Sequence, residues 1–158
     1  MRFVALNALL LAGCLPSAHR QAAKLEGRYA LRAPGVGWSS VPAGGADHAW
    51  HHAALGATLY TDSNCGPRFD EQHAGALASE LVGGLHDIVQ ESEGPLALAG
   101  RVGVARVVRA SLDGVPVKLA LGVLNRDACT YDFVLIAPPA GFEAAQEGYA
   151  RVLAGFSP

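Results

Sequence analysis

Apolar residues recur along this chain in two periods, and the change of period marks its elements. Period two dominates the C-terminal half. Val115, Val117, Leu119, Leu121 and Val123 alternate with Pro116, Lys118, Ala120, Gly122 and Leu124, which predicts a strand. Val102 to Leu112 before it is apolar and β-branched. Asp113-Gly114 between the two suits a type I′ hairpin turn, whose central residues both need positive φ. Asn125-Arg126-Asp127 turns the chain again, and Cys129, Tyr131, Phe133 and Leu135 alternate in the next strand. Three strands with short turns predict an antiparallel meander. The small residues Ala120 and Gly122 predict that something packs closely on that face.

A helical period appears twice. Leu77, Leu81, Leu85 and Ile88 share a helical face that Ala74 and Ala78 extend. Asp70 is the expected N-cap, Gly83-Gly84 weakens the last turns, and Gln90 to Gly94-Pro95 ends the element. After Pro138-Pro139, Phe142, Ala145, Tyr149, Val152, Leu153 and Phe156 form a second stripe. Toward the N-terminus, Leu25 to Leu31 reads as a short strand, broken at 33–37. Ala53 to Thr61 reads as another, and 62–67 as a turn cluster. The expected order is β-β-α-β-β-β-α. That is an α+β fold, an antiparallel β-sheet flanked by two amphipathic helices in an α/β/α sandwich.

The first residues follow neither period. Arg2 precedes an apolar run from Phe3 to Leu11, then Ala12, Gly13 and Cys14. A short apolar run behind one cation is the pattern of a secretory signal. It is about half the length that a membrane-spanning helix needs. Leu11-Ala12-Gly13-Cys14 resembles the lipobox of bacterial lipoproteins. The resemblance implies cleavage before Cys14 and lipidation of Cys14, with palmitate among the acyl chains. Leu15 in place of Asp leans toward the outer membrane. The alternatives are an ordinary signal cleaved near Ala18, or a buried N-terminal helix. The expected organisation is a signal peptide at 1–13, a lipidated N-terminus and tether at 14–24, and a single domain at 25–158.

That address changes the reading of the other cysteines. With Cys14 lipidated, Cys65 and Cys129 are left outside the reducing cytoplasm, and they are expected to pair. Two free buried thiols are the alternative. No Cys-x-x-Cys spacing suggests redox catalysis. A net charge of −2 offers no basic footprint, so nucleic acid is not an expected partner.

The densest chemistry is Asp47-His48-Ala49-Trp50-His51-His52. His48, His51 and His52 could hold zinc or copper, with His73 or His86 as a fourth ligand. On a straight strand, however, His51 points away from His48 and His52, so a polar strand edge is the plainer reading. No Gly-x-Ser-x-Gly elbow or phosphate loop is present. Asp70 with Glu71, and Glu91 with Glu93, read as solvated carboxylates, and Asp132 as a hydrogen-bonding residue at a sheet edge. Arg101, Arg106 and Arg109 form no single stripe; a solvated face is expected, an anionic partner being the alternative.

The meander ending in Cys129-Thr130-Tyr131-Asp132-Phe133 and Ile136-Ala137-Pro138-Pro139, closed by a helix reaching Phe156, resembles small envelope lipoproteins with the PsbP/DcrB-like fold. Trp38 and the Asp62-Ser63-Asn64-Cys65 turn fit the same pattern, which runs from Gly27 to Phe156. The resemblance implies a central antiparallel sheet with helices on both sides. It also implies binding or assembly roles, and it offers no catalytic residue to carry over. The expected protein is therefore a non-enzymatic, lipid-anchored module of the cell envelope, facing the periplasm. It needs no cofactor, and its partners are the membrane and an unidentified envelope protein or ligand. The alternative is a metal-binding periplasmic protein using His48, His51 and His52.

Overall fold

The structure is a computed structural model that describes residues 29–69 and 72–158. The signal, Cys14, the tether, most of the expected Leu25 to Leu31 strand, Asp70 and Glu71 lie outside the described residues.

Among the described residues, seven strands form one antiparallel sheet: β1 (Ser39–Ser40), β2 (His48–His52), β3 (Ala57–Cys65), β4 (His86–Leu98), β5 (Arg101–Leu112), β6 (Val115–Arg126) and β7 (Cys129–Ala137). Their spatial order is β1-β2-β3-β7-β6-β5-β4. Two α-helices accompany them among the described residues, α1 (Ala74–Glu80) and α2 (Pro139–Ala154). The meander from β5 to β7 is as expected. Asp113 and Gly114 take φ of 50° and 81°, the left-handed turn their chemistry favours. The next turn falls at Asp127 and Ala128, with φ of 52° and 59°, so Asn125 and Arg126 stay in β6.

Alternation along β6 divides the interior in two. Ala120 and Leu124 join Phe133, Phe142, Ala145 and Tyr149 in a core beneath α2. Leu119 and Leu121 join Val82, Val108 and Val134, and Val123 joins Leu77 and Ala78 of α1. The central strands are thus apolar on both faces. The expected order β-β-α-β-β-β-α is replaced by three strands before α1 and four between α1 and α2. The sandwich expectation holds only in part, because α1 has seven residues and contacts chiefly β5 and β6. The sheet itself makes up most of the fold.

Three expectations about elements need correction. The first helix does not run to Ile88. It begins at Ala74, with His73 rather than Asp70 at its N-cap, and ends at Glu80. Leu81 and Leu85 still pack on the core, but from a turn that contains Gly83-Gly84. Ile88 is 44% exposed in β4, in a stretch expected to be helix end and loop. The early strand starts at Ala57, since 53–55 form a short 3-10 turn, and it continues through the expected turn cluster to Cys65. Near the N-terminus, the described part of the expected strand makes a single bridge, Ala30 to Ser157.

Candidate functional site

β2 lies one strand from the sheet edge, and its alternation distributes the histidines. His48, Trp50 and His52 face the side that carries α2, and His51 faces the other, where its Nδ1 lies 3.2 Å from Thr58 Oγ1. His48 and His52 are four strand residues apart, about 13 Å along the strand. His86 sits on β4, five strands from β2 in the sheet order, and His73 caps α1. The trio of the metal-binding alternative is therefore not brought together. Among the described residues, no group of three His, Cys, Asp or Glu is placed to hold a metal ion. Strand geometry is the reason: period two sends neighbouring side chains to opposite faces.

The α2-side face of β2 is instead an aromatic surface. His48 stacks on Trp50 at 5.8 Å and 21°, and Tyr29 meets His48 edge-on. Tyr29 also contacts Tyr131 and Phe156, joining this surface to the core. Its hydroxyl donates to Asp47 Oδ2 at 2.9 Å and lies 3.0 Å from Thr61 Oγ1, while the buried Ser63 donates to the same carboxylate. Burial raises the Tyr29 hydroxyl pKa well above the usual tyrosine value; the Thr61 bond opposes the shift and Asp47 adds to it.

Beside this surface lies a cleft of about 330 Å³ between the 34–38 segment and α2. Trp38 and His52 meet edge-to-face in its wall, at 5.4 Å and 85°. Two glycines set these rings. A Cβ on Gly148 of α2 would sit 2.5 Å from Trp38 Nε1, and one on Gly37 would sit 2.3 Å from His52 Nε2. His52 Nδ1 is buried with no hydrogen-bond partner among the described residues. At the rim, Arg151 Nη2 pairs with Glu147 Oε1 at 2.6 Å across one helical turn. A second cleft, of about 400 Å³, opens on the opposite face between the 41–46 loop and Tyr60.

Cys65 and Cys129 form a disulfide between directly opposed residues of β3 and β7, with Cα atoms 4.0 Å apart. Asp132 is not at an edge. It lies in the interior strand β7, opposite Asp62 on β3 and Val123 on β6. The arginines are engaged with carboxylates. Arg101 pairs with Asp127, and Arg109 with Glu91. Arg106 binds Glu93, Ser79 Oγ and the Gly75 carbonyl, tying α1 to two strands. Glu91 also receives Lys118 at 2.9 Å, which together with Arg109 holds its carboxyl below the usual range.

No family model and no curated protein matches this chain. Solved structures do. LpqN, involved in cell envelope biogenesis of Mycobacterium tuberculosis, superposes with a TM-score of 0.57 at 11% identity over 88% of each chain. CyanoP, the cyanobacterial PsbP of Synechocystis, gives 0.57 at 12% identity over 93% of this chain and 98% of its own. The fold is PsbP-like. A Pseudomonas aeruginosa protein of unknown function shares this PsbP-like arrangement more loosely, at a TM-score of 0.51 and 14% identity over 81% of each chain. At these identities the likeness is one of fold, and function must come from the site.

The site residues that sequence reasoning missed are those of the cleft. Trp38, Leu55 and the Gly148–Arg151 turn of α2 lie far apart along the chain and follow no motif. The one signal was Gly35-Val36-Gly37 beside Trp38, a glycine-flanked apolar residue that period analysis treats as a plain break.

Proposed function

We propose that this protein is a non-enzymatic binding or assembly module of the cell envelope, held to a membrane by lipid on Cys14. The observation that carries the reading is the Cys65–Cys129 disulfide. Such a bond persists in oxidising compartments and is rare in a reducing cytoplasm. It agrees with an N-terminal segment that resembles a lipoprotein signal. Further support comes from the fold shared with LpqN, whose own role lies in envelope biogenesis. No helix among the described residues is long and apolar enough to cross a membrane. Acyl chains contribute about 0.8 kcal/mol per buried methylene, and stable anchoring takes more than one chain. The domain faces the periplasm, on the outer membrane in preference to the inner.

The test is Cys14→Ser in cells fed labelled palmitate, followed by membrane fractionation. Loss of label and release from the membrane is the expected result. Unchanged labelling overturns the anchor. Alkylation before and after reduction, read by mass spectrometry, should find Cys65 and Cys129 blocked until reductant is added.

A further inference from the structure

We infer that the cleft between the 34–38 segment and α2 binds a small, flat apolar molecule that carries a carboxylate. Its volume, about 330 Å³, is within the range of small-ligand sites, roughly 300–1,000 Å³. The walls divide by chemistry. Trp38 and His52 make an aromatic corner, and Pro34 and Leu55 extend it with aliphatic surface. A planar apolar body can lie on one ring and present its edge to the other, the arrangement that aromatic quadrupoles favour. The corner is formed before any ligand arrives, since Gly148 and Gly37 leave the two rings seated where a Cβ would stand. A preformed wall spares the ligand much of the ordering cost of binding.

The mouth supplies the polar half. Val36 lines the cleft and is wholly exposed, between Gly35 at φ 110° and Gly37 at φ 85°. A bound apolar body would give that side chain a surface to cover. Arg151 has a half-exposed side chain, and among the described residues only its Nη2 is occupied, by Glu147. A guanidinium has five donors in a planar fork, so its remaining edge can receive a second carboxylate. The open edge of Arg151 favours an anionic head over an amine.

The inference rests on the binding reading above and names its ligand class. It does not depend on the anchor, which palmitate labelling scores separately, so the two can fail independently. The probe is phenylacetate, titrated into the full ¹⁵N-labelled chain while the indole N–H signals of Trp38 and Trp50 are followed. A saturable shift of the Trp38 signal is expected, with Kd about 1 mM, and Trp50, which does not line the cleft, should move less. Arg151→Met should weaken binding about tenfold, and Glu147→Gln, which frees the guanidinium, should tighten it. Phenylacetamide, the uncharged analogue, should bind more weakly. A Trp38 signal that stays fixed overturns the site. Equal affinity for the amide, or for the Arg151→Met chain with its dispersed spectrum intact, overturns the carboxylate assignment.

Discussion

Gly122 and Tyr149 meet where β6 passes under α2. A Cβ on Gly122 would lie 2.8 Å from the Tyr149 hydroxyl and 3.1 Å from Leu96 Cδ2. That hydroxyl reaches the Phe133 carbonyl at 3.4 Å, so it cannot move away without losing its partner. Gly122→Ala should therefore destabilise the fold by about 1–3 kcal/mol, read by urea denaturation. Gly103 is tighter, because its added Cβ would lie 2.0 Å from the Val123 carbonyl oxygen, a backbone atom. Gly103→Ala should cost at least as much. The first close contact was legible in the sequence, since small residues at Ala120 and Gly122 interrupt an otherwise bulky strand. The second was not, because Gly103 looks unremarkable until β6 is paired beside it. Asp132 illustrates the same limit. Its place in the chain is plain, but its interior position depends on β3 arriving from far upstream to pair with β7.

At the scale of elements, α1 and β4 show how a hydrophobic period can mislead. Leu77, Leu81 and Leu85 all pack on the second core, so their spacing carried real information about burial. It did not fix where the helix stops. Gly83-Gly84 raises the entropy cost of further turns, and the chain turns into a strand instead. β4 has no apolar period to find, because most of it is exposed. Its ladder to β5 is a backbone matter, interrupted by irregularities between His86 and Val89 and between Gln90 and Ser92. Those irregularities, Pro95 and the acids Glu91 and Glu93 suit an outer strand that must not pair with other chains.

Two links hold these elements in place. Arg106 crosses from β5 to Glu93 on β4 and to Ser79 and Gly75 of α1. Arg106→Met should cost about 1–3 kcal/mol and speed amide exchange in α1 before the meander is affected. The disulfide links β3 to β7 across a separation of 64 residues. In the chain-entropy model a loop of that size stabilises by about 4 kcal/mol. A Cys65→Ser, Cys129→Ser chain should lose up to that amount in urea denaturation.

For the molecule as a whole, the tyrosines link fold to pH. Burial pushes the Tyr60 hydroxyl up to about 12, with Asp132 and Asp62 adding to the shift. Burial also raises Tyr149 and Tyr29. An unfolded chain releases these protons near pH 10, while the native state retains them. Stability is therefore intact below about pH 10 and falls as pH rises through that value toward 12. Tyrosinate absorbance should appear together with unfolding, and Tyr60→Phe should make the decline shallower.

The sequence by itself determined the three-strand meander and the apolar stripe of α2, and it raised the expectation that Cys65 pairs with Cys129. The first two rest on local period and turn chemistry, and the third on setting Cys14 aside for lipid. Tertiary structure alone decided the seven-strand order, the end of α1, the strand nature of β4 and the separation of the histidines. It also assembled the cleft, whose walls come from the 34–38 segment, β2 and α2. Those outcomes depend on backbone pairing and on contacts between residues far apart in the chain, and neither leaves a period to read.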